Sequence, residues 1–354
     1  MKANLKVSEI ARAVKLCVEA IDPKDIIRSN ICFEAENDEM KVTATNGSYS
    51  IEIVCPCDVK EEGMATVDGK MAYSILAKAS SECSFVSNDK SMQIITNGKT
   101  KLPNIGKGLP MIDKTDGKCV VVDSVEFRNA IGKIAYAISV DQSRLILTGA
   151  HIVSYGEKMT ITSLDGFRLA QTKIASKGDA VDIVVPYKIL LAICNAITDG
   201  ELIIHSDGIH FTAECANFVI NSVILSGNYI DTEKIIPTSF TTNVLVNTAK
   251  IKECIDSATV ASSMSNLVKL MIQDDKILVS SNSEDAEFQG EIEAVKTGND
   301  ITIAFNLKYL IQTFAHIDTE QCELNMSSPV SPVIIVPHGT EDDLHLILPV
   351  RVFN

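Results

Sequence analysis

The sequence predicts an α+β protein of three similar modules, each a duplicated unit of one helix and a few antiparallel strands. Three observations predict it. Similar eight-residue segments recur at Val7–Val14, Ser124–Ile131 and Thr248–Ile255. Short apolar segments open on Lys70, Lys188 and Lys308, about 120 residues apart. Short β-prone runs joined by polar turns fill the intervals, and short turns imply antiparallel neighbours.

Each of the first three segments places apolar residues four apart: Ile10 and Val14, Phe127 and Ile131, Ile251 and Ile255. That is the stripe of an amphipathic helix, and Ser124 and Asn247 suit its N-cap. The second set puts a Lys in the first helical turn, which the helix dipole does not favour. Recurrence in register suggests a shared role; a solvated surface lysine is the plainer alternative. With their flanks, the six helices cover residues 6–20, 69–79, 124–138, 187–198, 247–259 and 305–316.

Strands are predicted at Met40–Thr45, Ile51–Val54, Met159–Ser163, Leu202–His205, Ile209–Ala213, Phe218–Leu225, Lys276–Ser280, Val333–Val336 and Leu344–Val350. Several follow turn signals such as Asn37-Asp38, Gly156-Glu157 and Asp274-Asp275. Boundaries near Gly106–Lys118 and Pro237–Thr242 give modules 1–118, 119–240 and 241–354. One helix and a few strands cannot bury their own apolar face, so the half-units must pair.

The chain has 354 residues, more than one core usually serves. No apolar run approaches the roughly 20 residues that span a membrane. Lys6, Glu9, Arg12, Lys15 and Glu19 interrupt the N-terminal apolar positions, so no signal peptide is read there and a cytoplasmic location is expected. The ten cysteines are then expected as reduced thiols, with Cys17, Cys194 and Cys254 buried among apolar neighbours. Cys55-Pro-Cys57 lacks zinc spacing, so neither metal nor cofactor is expected.

Catalytic patterns fail as well. Ser163 lacks a nucleophile elbow, and His151 and Asp165 do not complete a triad around it. Gly106-Lys-Gly108 is no phosphate loop. A non-catalytic binding protein is the expectation.

Net charge is −14, which by itself argues against nucleic acid. Its distribution matters more. The six helices carry eleven basic and five acidic residues, leaving the remainder strongly acidic. Two readings stay open: ordinary solvated helix faces, or an acidic body with one basic surface.

Three landmarks favour the second. Ser163–Ala170 reads SLDGFRLA, with RLILTG upstream at Arg144–Gly149. Leu346–Val352 reads LILPVRV, and Gly227–Pro237 reads GNYIDTEKIIP. Together, in this order and over this length, they resemble the bacterial DNA sliding clamp family, the β subunit of the replicative polymerase. The family's signature reads TDGHRLA and its terminus MPMRL.

The resemblance implies a head-to-tail homodimer: a ring of six modules whose helices line a hole around duplex DNA, without base readout. It implies that Arg12, Lys15, Lys70, Lys78, Arg128, Lys133, Lys188, Lys250, Lys252 and Lys308 face DNA. It implies a groove between the second and third modules for the replicative polymerase, the clamp loader and other proteins with a clamp-binding motif. That groove takes Leu147, Leu164, Gly166, Phe167, Arg168, Leu169, Lys234, Ile235, Leu346, Ile347, Leu348, Pro349, Val350 and Arg351. Read alone, Leu346–Val350 is a core strand; the family pattern makes it a groove wall.

The edge near Lys99 and Leu102 is expected to meet the partner copy's third module between Val260 and Ile272. Phe167 stands where the family usually has His, which implies a drier groove less sensitive to mild acid. Leu164 replaces a common Thr, Ile230 a Pro, and Phe353 and Asn354 extend past the usual end. The alternative function is a protein-interaction repeat scaffold that never closes on DNA.

Overall fold

The computed structural model describes residues 1–262 and 266–351. Val352, Phe353 and Asn354 lie outside the described residues, as do residues 263–265 within the expected interface segment.

All six helices form: α1 (Val7–Glu19), α2 (Gly69–Leu76), α3 (Ser124–Ile134), α4 (Tyr187–Ala196), α5 (Thr248–Ser257) and α6 (Leu307–Phe314). They stop earlier than expected, and α3 and α5 run into tighter 3₁₀ turns at Ala135–Ala137 and Ala258–Ala261. Asp68, Asn247 and Asn306 cap α2, α5 and α6 by accepting from the backbone N–H of Met71, Lys250 and Lys308. Asn247 thus caps as expected. Ser124 does not: Asp123 accepts from Glu126 N at 2.8 Å, and the Ser124 hydroxyl is buried without a partner.

The predicted strands form, most of them extended by a residue or two. Two end early: Phe218–Val223 stops two residues before Leu225, and Leu344–Ile347 stops before Pro349, a residue with no N–H to give a ladder; His210–Cys215 starts one residue late. Asn37 and Asp38 both take positive φ, 51° and 59°, as a two-residue hairpin turn requires.

The chain divides into two compact units. The first holds Met1–Arg128, Ser154–Glu157 and Ala175–Ser226; the second holds Asn129–Val153, Lys158–Ile174 and the chain from Gly227 onward. The division passes through the middle repeat rather than beside it.

The first unit has two antiparallel sheets. The larger runs Lys177–Gly178, Lys118–Asp123, Glu201–Ser206, His210–Cys215, Phe218–Val223, Tyr49–Pro56, Glu39–Thr45, Asn30–Glu36, Gly63–Asp68. The smaller runs Asp58–Glu61, Lys2–Lys6, Glu82–Asn88, Ser91–Ile95, Lys99–Pro103. Helix α1 lays Ile10, Ala13, Val14 and Cys17 inward, all buried.

In the second unit the strand order is Gly149–Tyr155, Lys158–Leu164, Arg168–Ala175, Leu344–Ile347, Val333–Pro337, Gln321–Met326, Thr242–Asn247, Glu287–Gly298, Lys276–Asn282, Leu267–Gln273, Ile301–Asn306. Its core joins Ile251 and Ile255 of α5 to Leu310 and Phe314 of α6 and to the strands beneath them. Glu287–Gly298 is long enough to serve two neighbours. Its second half pairs Thr242–Asn247, and its first half pairs Lys276–Asn282. Among the described residues no strand lies on the other edge of Glu287–Glu293, nor on the outer edge of Lys99–Pro103.

The expected interface segment is corrected here. Ile272 is fully buried in the core, because its strand alternates and Met271, not Ile272, points outward. Val260 is 83% exposed. Lys99 is exposed on its edge strand, whereas Leu102 points inward.

All ten cysteines are free thiols. Burial pushes Cys55, Cys83 and Cys194 up to about 12, so these thiols stay protonated and inert at neutral pH. Among the described residues no helix is long and apolar enough to cross a membrane.

Candidate functional site

Within the second unit, Arg168–Ala175 and Leu344–Ile347 pair antiparallel, with Leu169 opposite Leu346. That pairing brings distant parts of the chain into one apolar cluster. Leu147, Leu164, Leu169 and Leu346 meet there with Ile334, and Ile146, Tyr229, Ile236, Phe240, Val336 and Leu344 pack around them. Four expected residues therefore converge.

The others are placed differently. Ile347, one residue along the strand, faces the opposite way into the main core, so it lines no groove. Ile235 is exposed beside the short 3₁₀ turn Thr232–Lys234, and its neighbour Ile236 joins the cluster instead. Lys234 is solvent-exposed and ion-paired with Asp231 at 2.7 Å. Leu348, Pro349, Val350 and Arg351 follow the strand at the surface. Leu348 N donates to Phe167 O at 2.8 Å and Val350 N to Ala304 O at 2.8 Å, which pins this segment to the neighbouring turn and strand. Tyr229, Ile236 and Phe240 are not among the expected residues; Gly227–Pro237 carries only the family resemblance. Ile334 and Val336 were visible only as core.

The hairpin Asp165–Arg168 forms one rim. Gly166 has φ +93°, which a side chain would strain. Asp165 closes the turn by accepting from Phe167 N at 2.9 Å and Arg168 N at 3.1 Å. Phe167 stands 57% exposed and stacks on Tyr309 of α6 with centroids 5.8 Å apart.

Arg168 points the other way and is only 8% exposed. Its Nε donates to Asp165 Oδ2 at 2.9 Å and its Nη1 to Gln312 Oε1 at 2.6 Å. The guanidinium lies between two rings, 4.7 Å from the Tyr309 centroid and 5.1 Å from that of Tyr136. Tyr136 in turn stacks on His316 at 4.6 Å and donates or accepts across 2.9 Å with His345 Nδ1.

The expected DNA-facing residues also divide. Lys15, Lys70, Lys188, Lys250 and Lys308 are exposed on their helices, and Lys78 is exposed two residues past the end of α2. Lys188 Nζ lies 5.3 Å above the Tyr49 ring. Arg128 is half-buried. Three cations have internal partners. Arg12 donates to the carbonyls of Asn195, Ala196 and Ile197 at the C-terminus of α4, where positive charge meets the negative end of the helix. Lys252 does the same at Ile317 O, 2.6 Å away, just past the end of α6. Lys133 pairs with Asp343 at 2.6 Å. The i, i+4 pattern marked these residues as helical but could not distinguish a solvated cation from a capping one.

Next to Leu346 on the same strand, His345 is buried, with Nε2 unpartnered. Burial holds its imidazole down at about 4, against the opposing pull of Asp343. The folded state therefore refuses a proton that the unfolded chain accepts near 6.5. Stability present above that pH should fall as pH drops from about 6.5 to about 4, by on the order of 3 kcal/mol in all. Guanidinium unfolding at pH 7 and pH 4.5 checks this: His345→Gln should lose less stability than wild type over that interval. Equal losses would remove His345 from the pH response.

Comparison with known proteins fits this geometry. Residues 121–231 match the family profile of the DNA polymerase III beta subunit, central domain, and residues 233–351 that of its C-terminal domain. The chain is 28% identical to the beta sliding clamp of Streptococcus pneumoniae R6, over 96% of each protein. Its fold is similar to the DNA polymerase III beta subunit of Thermotoga maritima, at TM-score 0.92 and 20% identity, covering 99% of this chain and 100% of the other. It is likewise similar to the Pseudomonas aeruginosa subunit, at TM-score 0.94 and 18% identity with the same coverage. With a family match over most of its length, the chain belongs to the bacterial β sliding clamps, the non-catalytic processivity subunits of DNA polymerase III.

Proposed function

We propose that two copies of this chain close head to tail into a ring of six modules that encircles duplex DNA and holds polymerase through the apolar trough. The observation that carries this reading is a pattern of strand pairing that repeats twice within the chain and is left unfinished a third time. The profile boundaries near residues 121 and 233 support three modules, 1–118, 119–240 and 241–354.

Four residues before α1, α3 and α5 stand Ala3, Val120 and Val244. From each, a four-strand ladder follows: Ala3, Phe85, Ile94, Thr100; Val120, Ile204, Ala213, Ile220; Val244, Leu324, Ile335, His345. Ile220 then pairs with Ile51, and His345 with Ala170. Ile51 and Ala170 each lie eight residues before the partner of Ala3 or Val120, namely Val59 or Gly178. The partner of Val244 is Lys296, so the equivalent position is Phe288. Thr100 and Phe288 are the two ends without a strand, and a second copy supplies each with the other. Closure of such a heterologous contact gives a ring rather than a fibre.

In that register Lys101 faces Glu287, both exposed. Lys101→Glu should weaken the dimer about fivefold or more, and adding Glu287→Lys should restore it. Sedimentation equilibrium reads both. A double variant no tighter than the single one refutes the register.

Ring function rests on topology. Exposed helix lysines supply long-range attraction to phosphate without base readout, which suits sliding. The deciding experiment loads the protein onto nicked circular DNA. Retention on circles with release on linearisation is expected; equal loss from both would leave a scaffold that does not encircle DNA.

For the trough, Leu169→Ala and Leu348→Ala should each weaken a short polymerase-derived peptide by on the order of 1–2 kcal/mol, measured by fluorescence anisotropy. Unchanged affinity in both, with folding verified, would remove the trough from partner binding.

A further inference from the structure

We propose that Arg168 is a positioning residue for partner binding: it sets the height of the Gly166–Phe167 rim from α6 and does not itself touch the partner. This rests on the trough being the partner site. The sequence pattern placed Arg168 among the groove-lining residues, but its geometry is that of an internal strut.

The side chain is almost fully buried, and two donors are committed, one to Asp165 within its own hairpin and one to Gln312 on α6. The planar guanidinium is sandwiched by Tyr309 and Tyr136. Tyr309 presents its ring also to Phe167, which stands on the rim. A continuous stack therefore runs from the exposed Phe167 through Tyr309, Arg168 and Tyr136 to His316. Phe167 O also receives Leu348 N at 2.8 Å, so the rim fixes where Leu348 emerges beside the trough. A planar, forked cation is needed for this role; an ammonium would keep the charge but lose both the stack and the two-directional fork. Rim residues locked by neighbours that do not touch a ligand are how a binding surface keeps its shape.

The chain has no Trp, so Phe167→Trp gives a unique fluorescent reporter of the stack. In that background Arg168→Lys should move the emission to longer wavelength, as the ring leaves Tyr309. It should also weaken a fluorescein-labelled polymerase-derived peptide roughly tenfold. Gln312→Ala, which removes the α6 acceptor of the Arg168 fork, should give a smaller shift and about a threefold loss.

Weakened peptide binding with unchanged emission would overturn the proposal, because Arg168 would then act by direct contact. An emission shift with affinity within twofold would overturn it as well, because rim height would not matter. If Arg168→Lys does not fold, Gln312→Ala decides by the same two readouts. Failure of the underlying reading looks different: the peptide then binds neither wild type nor the Phe167→Trp protein, and the positioning role falls with it.

Discussion

Everything else in this fold depends on the need of the last strand of each repeat for a neighbour. A strand edge exposes a row of N–H and C=O groups that must be paired or left to water. Phe218–Val223 finds its neighbour in Tyr49–Pro56, and Leu344–Ile347 finds its own in Arg168–Ala175. Neither partner is in the same repeat. This borrowing turns tandem repeats into continuous sheets, and it is also what sets Leu169 against Leu346. The apolar cluster around them is a by-product of sheet continuity, built where two repeats are stitched together.

Behind that seam the chemistry is polar. Asp343 accepts from Lys133 at 2.6 Å and Thr172 at 2.5 Å, and Tyr136 meets His345. Buried polar groups of this kind fix one arrangement of the surrounding strands because few others would satisfy them. Alternation along Leu344–Ile347 places His345 and Ile347 on the inner side and Leu346 in the apolar cluster. The wet layer and the dry one share a single strand.

Much of this was legible in the sequence. Helical stripes at Ile10 and Val14, Phe127 and Ile131, and Ile251 and Ile255 marked three helices, because a four-residue spacing has one easy reading, and the recurring apolar segments opened by Lys70, Lys188 and Lys308 marked the other three. The Asp165–Arg168 turn was legible only as part of the SLDGFRLA landmark, not as a turn. Side-chain direction on strands was not. Ile347 and Ile272 are ordinary strand residues whose facing depends on register, and a single step reverses it. Ile235 and Ile236 differ by the same step at a 3₁₀ turn. Nor was the internal use of cations legible: Arg12 looks like any surface arginine until α4 ends beside it. The negative total charge concealed the exposed helix lysines because composition averages over surfaces.

Counting two residues back from Ile51 and from Ala170 reaches Tyr49 and Arg168, equivalent positions in the two seams. In one seam the strand supplies the ring and α4 the cation, Lys188; in the other the strand supplies the cation and α6 the ring, Tyr309. Tyr49 is buried and its hydroxyl donates to Glu19 O at 2.8 Å, leaving that seam filled. Of the two seams, the one at Leu169 and Leu346 keeps an apolar cluster beside its rim. On the proposed reading a ring of two copies would then offer two berths, clients would exchange by competition, and occupancy would be a matter of relative abundance and residence time.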